Sequence, residues 1–531
     1  MQIIIPMSGF GERFRKVGYK LPKPLIIVDG KPIIQHVVEM FPGEKDIIFI
    51  CNKDHLNHPD YHLRETLKAI SPDSTIVAIN PHKLGPVHAV LEAINQINLT
   101  EPTIVNYADF TCDWDYEDFV TMIEDTSCDG AIPCYRGFHP HTLWSNYYAY
   151  VREENMNAWD IQEKKPFTSS PRDEFASSGT YYFKSGRLMK QYFDRCVKED
   201  LTVAGEYYAS MVYKPMMQDD LNIKVYELDH FMQWGTPLDL EEYSYWSNTF
   251  SSILDEKEPP KQLGSLILPM VGLGSRFTKA GYKISKPMIK VSGMPMAAQA
   301  LGDLPQAEKQ KFIFRKDLLG INNLKAELQK ISAVAEFKVL DYVTDGQAST
   351  CVEGSEGLEI NSPVTIAACD NGMTYDKEKF KSLMESDEID VIVWGAKGYP
   401  GAIRSPEMYG WIDADSEGVI NNISVKKPLS NTTKDPIIVG TFTFKRLGDF
   451  LDSVKLMKQR KALVNGEYYV DMAINDAISL NLRCVLFEID SYICWGTPND
   501  LNTFEYWQSC FDGWKHHPYE KEKDRNYISS Q

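Results

Sequence analysis

Residues 3–28, IIIPMSGFGERFRKVGYKLPKPLIIV, return at 266–291 as LILPMVGLGSRFTKAGYKISKPMIKV. At an offset of 263 the two stretches agree at Ile4, Pro6, Met7, Gly9, Gly11, Arg13, Phe14, Lys16, Gly18, Tyr19, Lys20, Lys23, Pro24, Ile26 and Val28, which is 15 of 26 positions. Solenoid repeats run only ~20–50 residues, so this period is that of a whole domain. The best-kept part is a glycine-rich, basic loop rather than an apolar stripe, so the duplication reads as one of a binding site. The expected organisation is a domain over 1–250, a linker over 251–262 (SSILDEKEPPKQ, with Ser, mixed charge and Pro-Pro), a second domain over 263–512 and a polar tail over 513–531.

Within each half, short apolar runs alternate with longer amphipathic stretches. Strands are predicted at 3–5, 25–28, 47–51, 75–79, 103–106, 130–134, 180–183 and 223–228, and helices at 32–41, 86–97, 116–125, 186–197 and 206–217. The second half repeats the order, with strands near 266–268, 288–291, 311–314, 364–369, 389–394, 441–444 and 484–489. Buried runs alternating with helices predict an α/β fold: two tandem Rossmann-like domains, each a mostly parallel mixed sheet between helices.

The formal charge of −18 argues against nucleic acid or an anionic membrane as partner, since either needs a basic face. Ten cysteines lie scattered without a C-x-x-C pair, the usage of reduced thiols in a cytoplasmic protein. No apolar run of about 18 residues and no leader pattern is present, so neither a signal peptide nor a membrane span is expected.

Gly9 and Gly11 follow the first strand directly, and Gly272 and Gly274 the repeated one. Such glycines let backbone N–H groups approach a phosphate closely. The third glycine of a dinucleotide fingerprint is replaced by Phe14 and Phe277, and no P-loop is present. Residues 9–24 carry Arg13, Arg15, Lys16, Lys20 and Lys23 against Glu12; residues 272–287 carry Arg276, Lys279, Lys283 and Lys286 with no acid. In an acidic chain, a basic glycine loop met twice reads as a polyanion pocket. His55, His58 and His62 have metal-cluster spacing, but the matching stretch RKDLLGINNL lacks histidine, which favours a surface helix start.

The run GxGxRF…KPLIxV resembles the nucleotide-binding signature of the sugar-1-phosphate nucleotidyltransferases, the sugar-nucleotide pyrophosphorylases. The versions from bacterial capsule and surface-polysaccharide loci are most similar. The resemblance implies that Arg13 and Lys23 contact the triphosphate in one site, and Arg276 and Lys286 in the other. Met7, Ser8, Gly9 and Gly11, with Met270, Val271, Gly272 and Gly274, would line the nucleotide, and Gly85, Gly346 and Gln347 would belong to base-recognition loops. Asp109 and Asp370 would hold Mg²⁺, which takes one or two carboxylates beside phosphates and water. Lys165 and Lys427, each before a proline, would grip the sugar phosphate; Gly179, Glu206, Gly440 and Glu467 would face the sugar. The family's second metal aspartate is replaced by Gln233 and Cys494, which leaves the second metal ligand unassigned.

The implied reaction is NTP plus a sugar or polyol phosphate giving NDP-sugar and pyrophosphate, at two sites with different substrates. A phosphate monoester is already an anion at neutral pH, so no general base is required; positioning and charge neutralisation suffice. Base, sugar and oligomeric state are left open, a homo-oligomer included. Two other readings stay open, a metal-dependent glycosyltransferase and a pair in which one domain is a regulatory or scaffold module.

Overall fold

Ile3, Ile4 and Ile5 have no exposed surface because the strand Gln2–Met7 has parallel neighbours on both sides. Gln2 pairs with Asp46 on one side and Thr103 on the other. Strands buried on both faces are continuously apolar, which is why this segment reads as an unbroken run. The computed structural model describes residues 1–529 and contains two compact units, Met1–Ser244 and Tyr245–Gln531.

The first unit is built on a ten-stranded mixed sheet. Its order from one edge is Thr75–Ile79, Asp46–Asn52, Gln2–Met7, Thr103–Asn106, Thr180–Phe183, Gly130–Tyr135 and Ile223–Glu227. The hairpin Ala149–Glu154 and Asn157–Glu163 and the short strand Phe175–Ser177 complete it. Helices Pro86–Glu92, Gly186–Lys198 and Ala209–Gln218 cover it through Val87, Val90, Phe193, Val212 and Met216. From Gln2–Met7 the sheet grows first toward Asp46–Asn52 and then restarts on the other side at Thr103–Asn106. That reversal leaves a crevice at the carboxyl ends of these strands, the place where open α/β sheets bind ligands.

The second unit has a nine-stranded sheet. Its path runs Ala335–Leu340, Gln306–Arg315, Lys261–Met270, Val364–Ile366, Ile437–Phe444, Val391–Ala396 and Cys484–Glu488, the same order as in the first unit. The hairpin Gly410–Ala414 and Ile420–Val425 flanks it. The α/β expectation holds.

Several boundaries differ from expectation for physical reasons. In place of a strand over 25–28, Lys23–Leu25 forms a 3₁₀ turn and only Ile27–Val28 is extended, since Pro24 has no N–H for a ladder. The helix expected from 206 starts at Ala209 because the Tyr207 backbone bonds elsewhere. The stretch 251–262 is not a free linker: helix Pro237–Ile253 runs into it and strand Lys261–Met270 begins inside it. The unit boundary lies at 244/245 rather than near 250. Trp246 and Phe250 are buried in the second unit, where Phe250 stacks on Phe504 at 5.5 Å.

The tail over 513–531 is polar in composition, yet its described part is packed. Trp514, His517 and Tyr519 are buried, Tyr519 donates to Asp524 at 2.8 Å, and the Ile528 amide donates to the Ser292 carbonyl at 2.9 Å. Tyr519→Ala is therefore expected to cost the second unit about 3–5 kcal/mol, the range for emptying a large aromatic site, read from its denaturant midpoint.

Candidate functional site

In the first unit, Gly11 takes a left-handed conformation (φ 64°) and caps the short helix Glu12–Lys16, which carries Arg13. Phe14 is buried beneath it, edge-on to Tyr19 at 5.2 Å, so the loop is anchored by an apolar pin. Lys23 passes over the Phe14 ring and brings its Nζ to 2.7 Å from Asp109 Oδ2 and 3.2 Å from the Gly235 carbonyl. Residues 86 apart in sequence thus meet at the crevice. In the second unit Lys286 bonds to Asp370 and, at 3.2 Å, to the Gly496 carbonyl. Burial opposes the charge on Lys286, but the Asp370 carboxylate prevails and holds its pKa above the ordinary lysine value.

The loops holding Gly85 and Gly346 are stitched to the GEYY segments by backbone. The Tyr207 amide donates to Leu84 O at 2.8 Å, and the Val87 amide donates to Tyr207 O at 3.2 Å. Gly85 (φ 90°) lies against this seam; a Cβ there would sit 2.7 Å from both Tyr207 N and O. The seam recurs with Tyr468, whose amide donates to Asp345 O at 2.9 Å and whose carbonyl accepts from Ala348 at 3.0 Å. A Cβ on Gly346 would come within 2.4 Å of Tyr468 N.

At the far end of the first crevice, Lys164 Nζ donates to Tyr208 Oη and Tyr208 donates to Glu206 Oε2, both at 2.5 Å. Burial, and then Glu206, raise the Tyr208 pKa, so the phenol acts as a donor at neutral pH. In the second unit Lys426 Nζ reaches Tyr469 Oη at 3.3 Å, and the Tyr469 phenol is pushed up to about 12 by burial and by Glu467.

In the first unit a cleft of about 490 Å³ lies between the glycine loop, Lys23 with Asp109, Gly85 and the segment carrying Glu206 and Tyr208. It is lined by the expected Met7, Ser8, Gly9, Gly11, Arg13, Lys23, Gly85, Asp109 and Glu206, and also by Phe10, His82, Lys83, Tyr107 and Tyr208. Lys83 ties the loop holding Gly85 to the glycine loop through Glu12 at 2.6 Å. Gly179 is not in the lining: its carbonyl accepts from the Tyr107 amide at 3.0 Å, behind the crevice, as the Gly440 carbonyl does from Ala368.

Lys165 and Lys427 lie beside these contacts rather than in them. Both are exposed, and neither Lys164 nor Lys165 is in the cleft lining. The lysines just before them, Lys164 (φ 59°) and Lys426 (φ 57°), are left-handed. That uncommon conformation for a side-chain-bearing residue turns them toward the tyrosines and their successors outward. Arg15 departs too, pairing at 2.9 Å with His55, which is buried rather than on the surface.

Around the second glycine loop a cavity of about 500 Å³ is lined by Gly272, Gly274 and Lys286 with Lys283, Arg315 and Asp317. Met270, Val271, Arg276, Gly346, Gln347, Asp370 and Glu467 are not in that lining. Cys494, at the position of Gln233, is buried, its Sγ accepts from the Gly496 amide at 3.3 Å, and burial raises its pKa, so it stays a thiol.

Residues 2–233 match the family model described as nucleotidyl transferase. Among curated proteins, the bifunctional protein GlmU of Ralstonia nicotianae is 34% identical over 109 residues, 20% of this chain and 22% of that one. The bifunctional protein GlmU of Methanocaldococcus jannaschii is 24% identical over 244 residues, 46% of this chain and 53% of its own length. This chain thus spans between about a fifth and about half of these relatives. A solved nucleoside-diphosphate-sugar pyrophosphorylase from Vibrio cholerae covers 45% of this chain and 97% of its own, at 20% identity and a TM-score of 0.36.

Proposed function

We propose that this protein is a sugar-phosphate nucleotidyltransferase. It transfers a nucleotidyl group from an NTP to a sugar or polyol phosphate, with release of pyrophosphate, at two sites of different specificity. The observation that carries the reading is the same three-way contact in both units: Lys23 with Asp109 and the Gly235 carbonyl, Lys286 with Asp370 and the Gly496 carbonyl. A cation and a carboxylate held together beneath a glycine loop suit a reaction in which two polyanions must meet.

In the first unit the loop amides of residues 8–11, with Arg13 and Lys23, would hold the triphosphate. Lys164, rather than Lys165, would draw in the sugar phosphate from the Glu206 end, as Lys426 would in the second unit. Neutralising both phosphates lets the incoming oxygen approach the α-phosphorus in line, and Tyr208, kept protonated, donates without competing as a base. Asp109 and Asp370, each partly exposed at 36% and 27%, suit a divalent ion such as Mg²⁺ that takes one carboxylate and fills its shell with phosphate and water. Bound there, the ion would supply charge neutralisation at the phosphates. Synthesis of surface-polysaccharide precursors in the cytoplasm fits such products, and among the described residues no helix is long and apolar enough to cross a membrane.

A matrix of four NTPs by candidate sugar and polyol phosphates, read by pyrophosphate release from the full chain, tests this. Two distinct NTP–phosphate pairs are expected to turn over, one lost with Lys23→Ala and the other with Lys286→Ala. The cavity around the second glycine loop is not lined by Asp370, which favours a second reading in which that unit only binds or scaffolds; a single active pair, insensitive to Lys286→Ala, would establish it.

A further inference from the structure

The helix Pro86–Glu92 carries, beside its core residues Val87 and Val90, a group that the reaction does not use. His88 and Glu92 are four residues apart and so share one face of the helix. His88 Nε2 stands 3.3 Å from Glu92 Oε1, and both side chains reach solvent. His82, from the segment leading to Gly85, sets its ring edge-on to the His88 ring at 4.7 Å. One ligand atom from each of the three lies within 4.8 Å of the others, and among the described residues no other three His, Cys, Asp or Glu side chains gather as closely.

The second unit shows what this place looks like without the histidines. The seam aligns Gly85 with Gly346 and Tyr207 with Tyr468, an offset of 261 in both cases (346 − 85 and 468 − 207). At that offset His82, His88 and Glu92 correspond to Val343, Ser349 and Glu353. Both imidazoles are gone, and Glu353 pairs with Lys338 at 3.0 Å. A lysine occupies the second carboxylate, whereas two imidazoles beside the first add nitrogen lone pairs. His82 Nε2 is buried with no hydrogen-bond partner, while His82 Nδ1 accepts from the Leu84 amide at 3.1 Å.

We propose that His82, His88 and Glu92 form a binding site for one divalent transition-metal ion of the Zn²⁺ class, which anchors the Gly85 loop to its helix in the first unit. Two imidazoles with one carboxylate suit Zn²⁺, whereas Mg²⁺ prefers an all-oxygen shell such as Asp109 would share with phosphates. Zinc holds nitrogen and oxygen ligands at about 2.0–2.2 Å, so two tetrahedral ligands lie about 3.4 Å apart. The His88–Glu92 separation of 3.3 Å is already such an edge, and water would complete the shell. Ligation through His82 Nε2 puts the ring proton on Nδ1, so the Leu84 amide leaves that nitrogen. The Leu84 carbonyl, held by the Tyr207 amide at 2.8 Å, keeps the loop on its seam. The site stands independently of the reaction proposed above.

The test measures Zn²⁺ uptake by the full chain after chelator treatment, in excess Mg²⁺ so that oxygen-only sites are filled. Wild type is expected to retain one Zn²⁺ per chain on equilibrium dialysis. Zn²⁺ should also raise its melting temperature, as any ligand selective for the folded state does. His88→Ser, the exchange found in the second unit, and Glu92→Gln should each weaken binding by more than about 10–100-fold, the loss that disturbing a supporting group of a metal site brings. Neither variant should show the thermal shift; if His88→Ser fails to fold, Glu92→Gln decides alone. Asp109→Asn should bind Zn²⁺ as the wild type does, and Co²⁺ in place of Zn²⁺ should bind without thiolate absorption. No retained Zn²⁺, or wild-type affinity in a folded ligand variant, overturns the proposal. So does loss of binding in Asp109→Asn, which would put the ion at the reaction site, or thiolate absorption, which would put it on a cysteine.

Discussion

Lys23→Ala in the full chain is expected to lower turnover at the first site by about 10²–10³-fold, the usual effect of removing one charge-stabilising group. The second activity should remain. Lys23 is the only lysine bonded to Asp109 among the described ion pairs, and its loss exposes that carboxylate to the incoming triphosphate as an uncompensated negative charge. Arg13→Ala should weaken the same site, because Arg13 lines the same cleft. The paired variant Lys286→Ala with Asp370→Ala should abolish the second activity while leaving the first. Pyrophosphate release with each acceptor in turn checks all three. Survival of every activity in the double variant, together with loss of all of them in Lys23→Ala, would show that the second site is not catalytic. Unchanged rates in both Lys23→Ala and Arg13→Ala would remove the triphosphate assignment.

Gly85→Ala is expected to damage the first site through the backbone. Its conformation, φ 90° and ψ 175°, belongs to a region almost confined to glycine and costs about 1–3 kcal/mol for other residues. The added Cβ would also meet Tyr207 N and O at 2.7 Å. Relief requires opening the seam that holds the Gly85 loop against the segment carrying Glu206 and Tyr208. The expected outcome is a lower melting temperature together with weaker NTP and acceptor binding at the first site. Gly346→Ala should do the same to the second unit, where the approach to Tyr468 N is 2.4 Å. Gly9→Ala supplies the contrast. Nothing lies within 4 Å of a Cβ there, so the fold should melt as the wild type does and any loss should appear only in nucleotide binding. Equal melting temperatures for Gly85→Ala and the wild type would refute the backbone account.

Much of this molecule was decided by sequence alone, because it depends on repeated local patterns. The duplication is visible in residues 3–28 and 266–291, and the apolar runs at 47–51, 75–79, 103–106 and 180–183 lie in strands at those places. Strands buried on both faces leave an apolar signature that neighbours in sequence suffice to show. The hairpin Ala149–Glu154 and Asn157–Glu163 was not legible, since it is partly exposed and its alternation is diluted by charge. The pairing of Lys23 with Asp109 could be anticipated only from the order of motifs.

Tertiary structure decided the rest. It set Lys164 against Tyr208 and left Lys165 exposed, because a left-handed residue at the strand end turns two adjacent side chains different ways. It turned Arg15 from the pocket to His55, buried Trp246 and Phe250 in the second unit's aromatic core, and packed the described part of a tail that composition marks as loose. Such facts depend on the direction of single side chains and on contacts between residues tens to hundreds of positions apart. No periodicity along the chain encodes them, because they exist only once the strands and helices have been brought together.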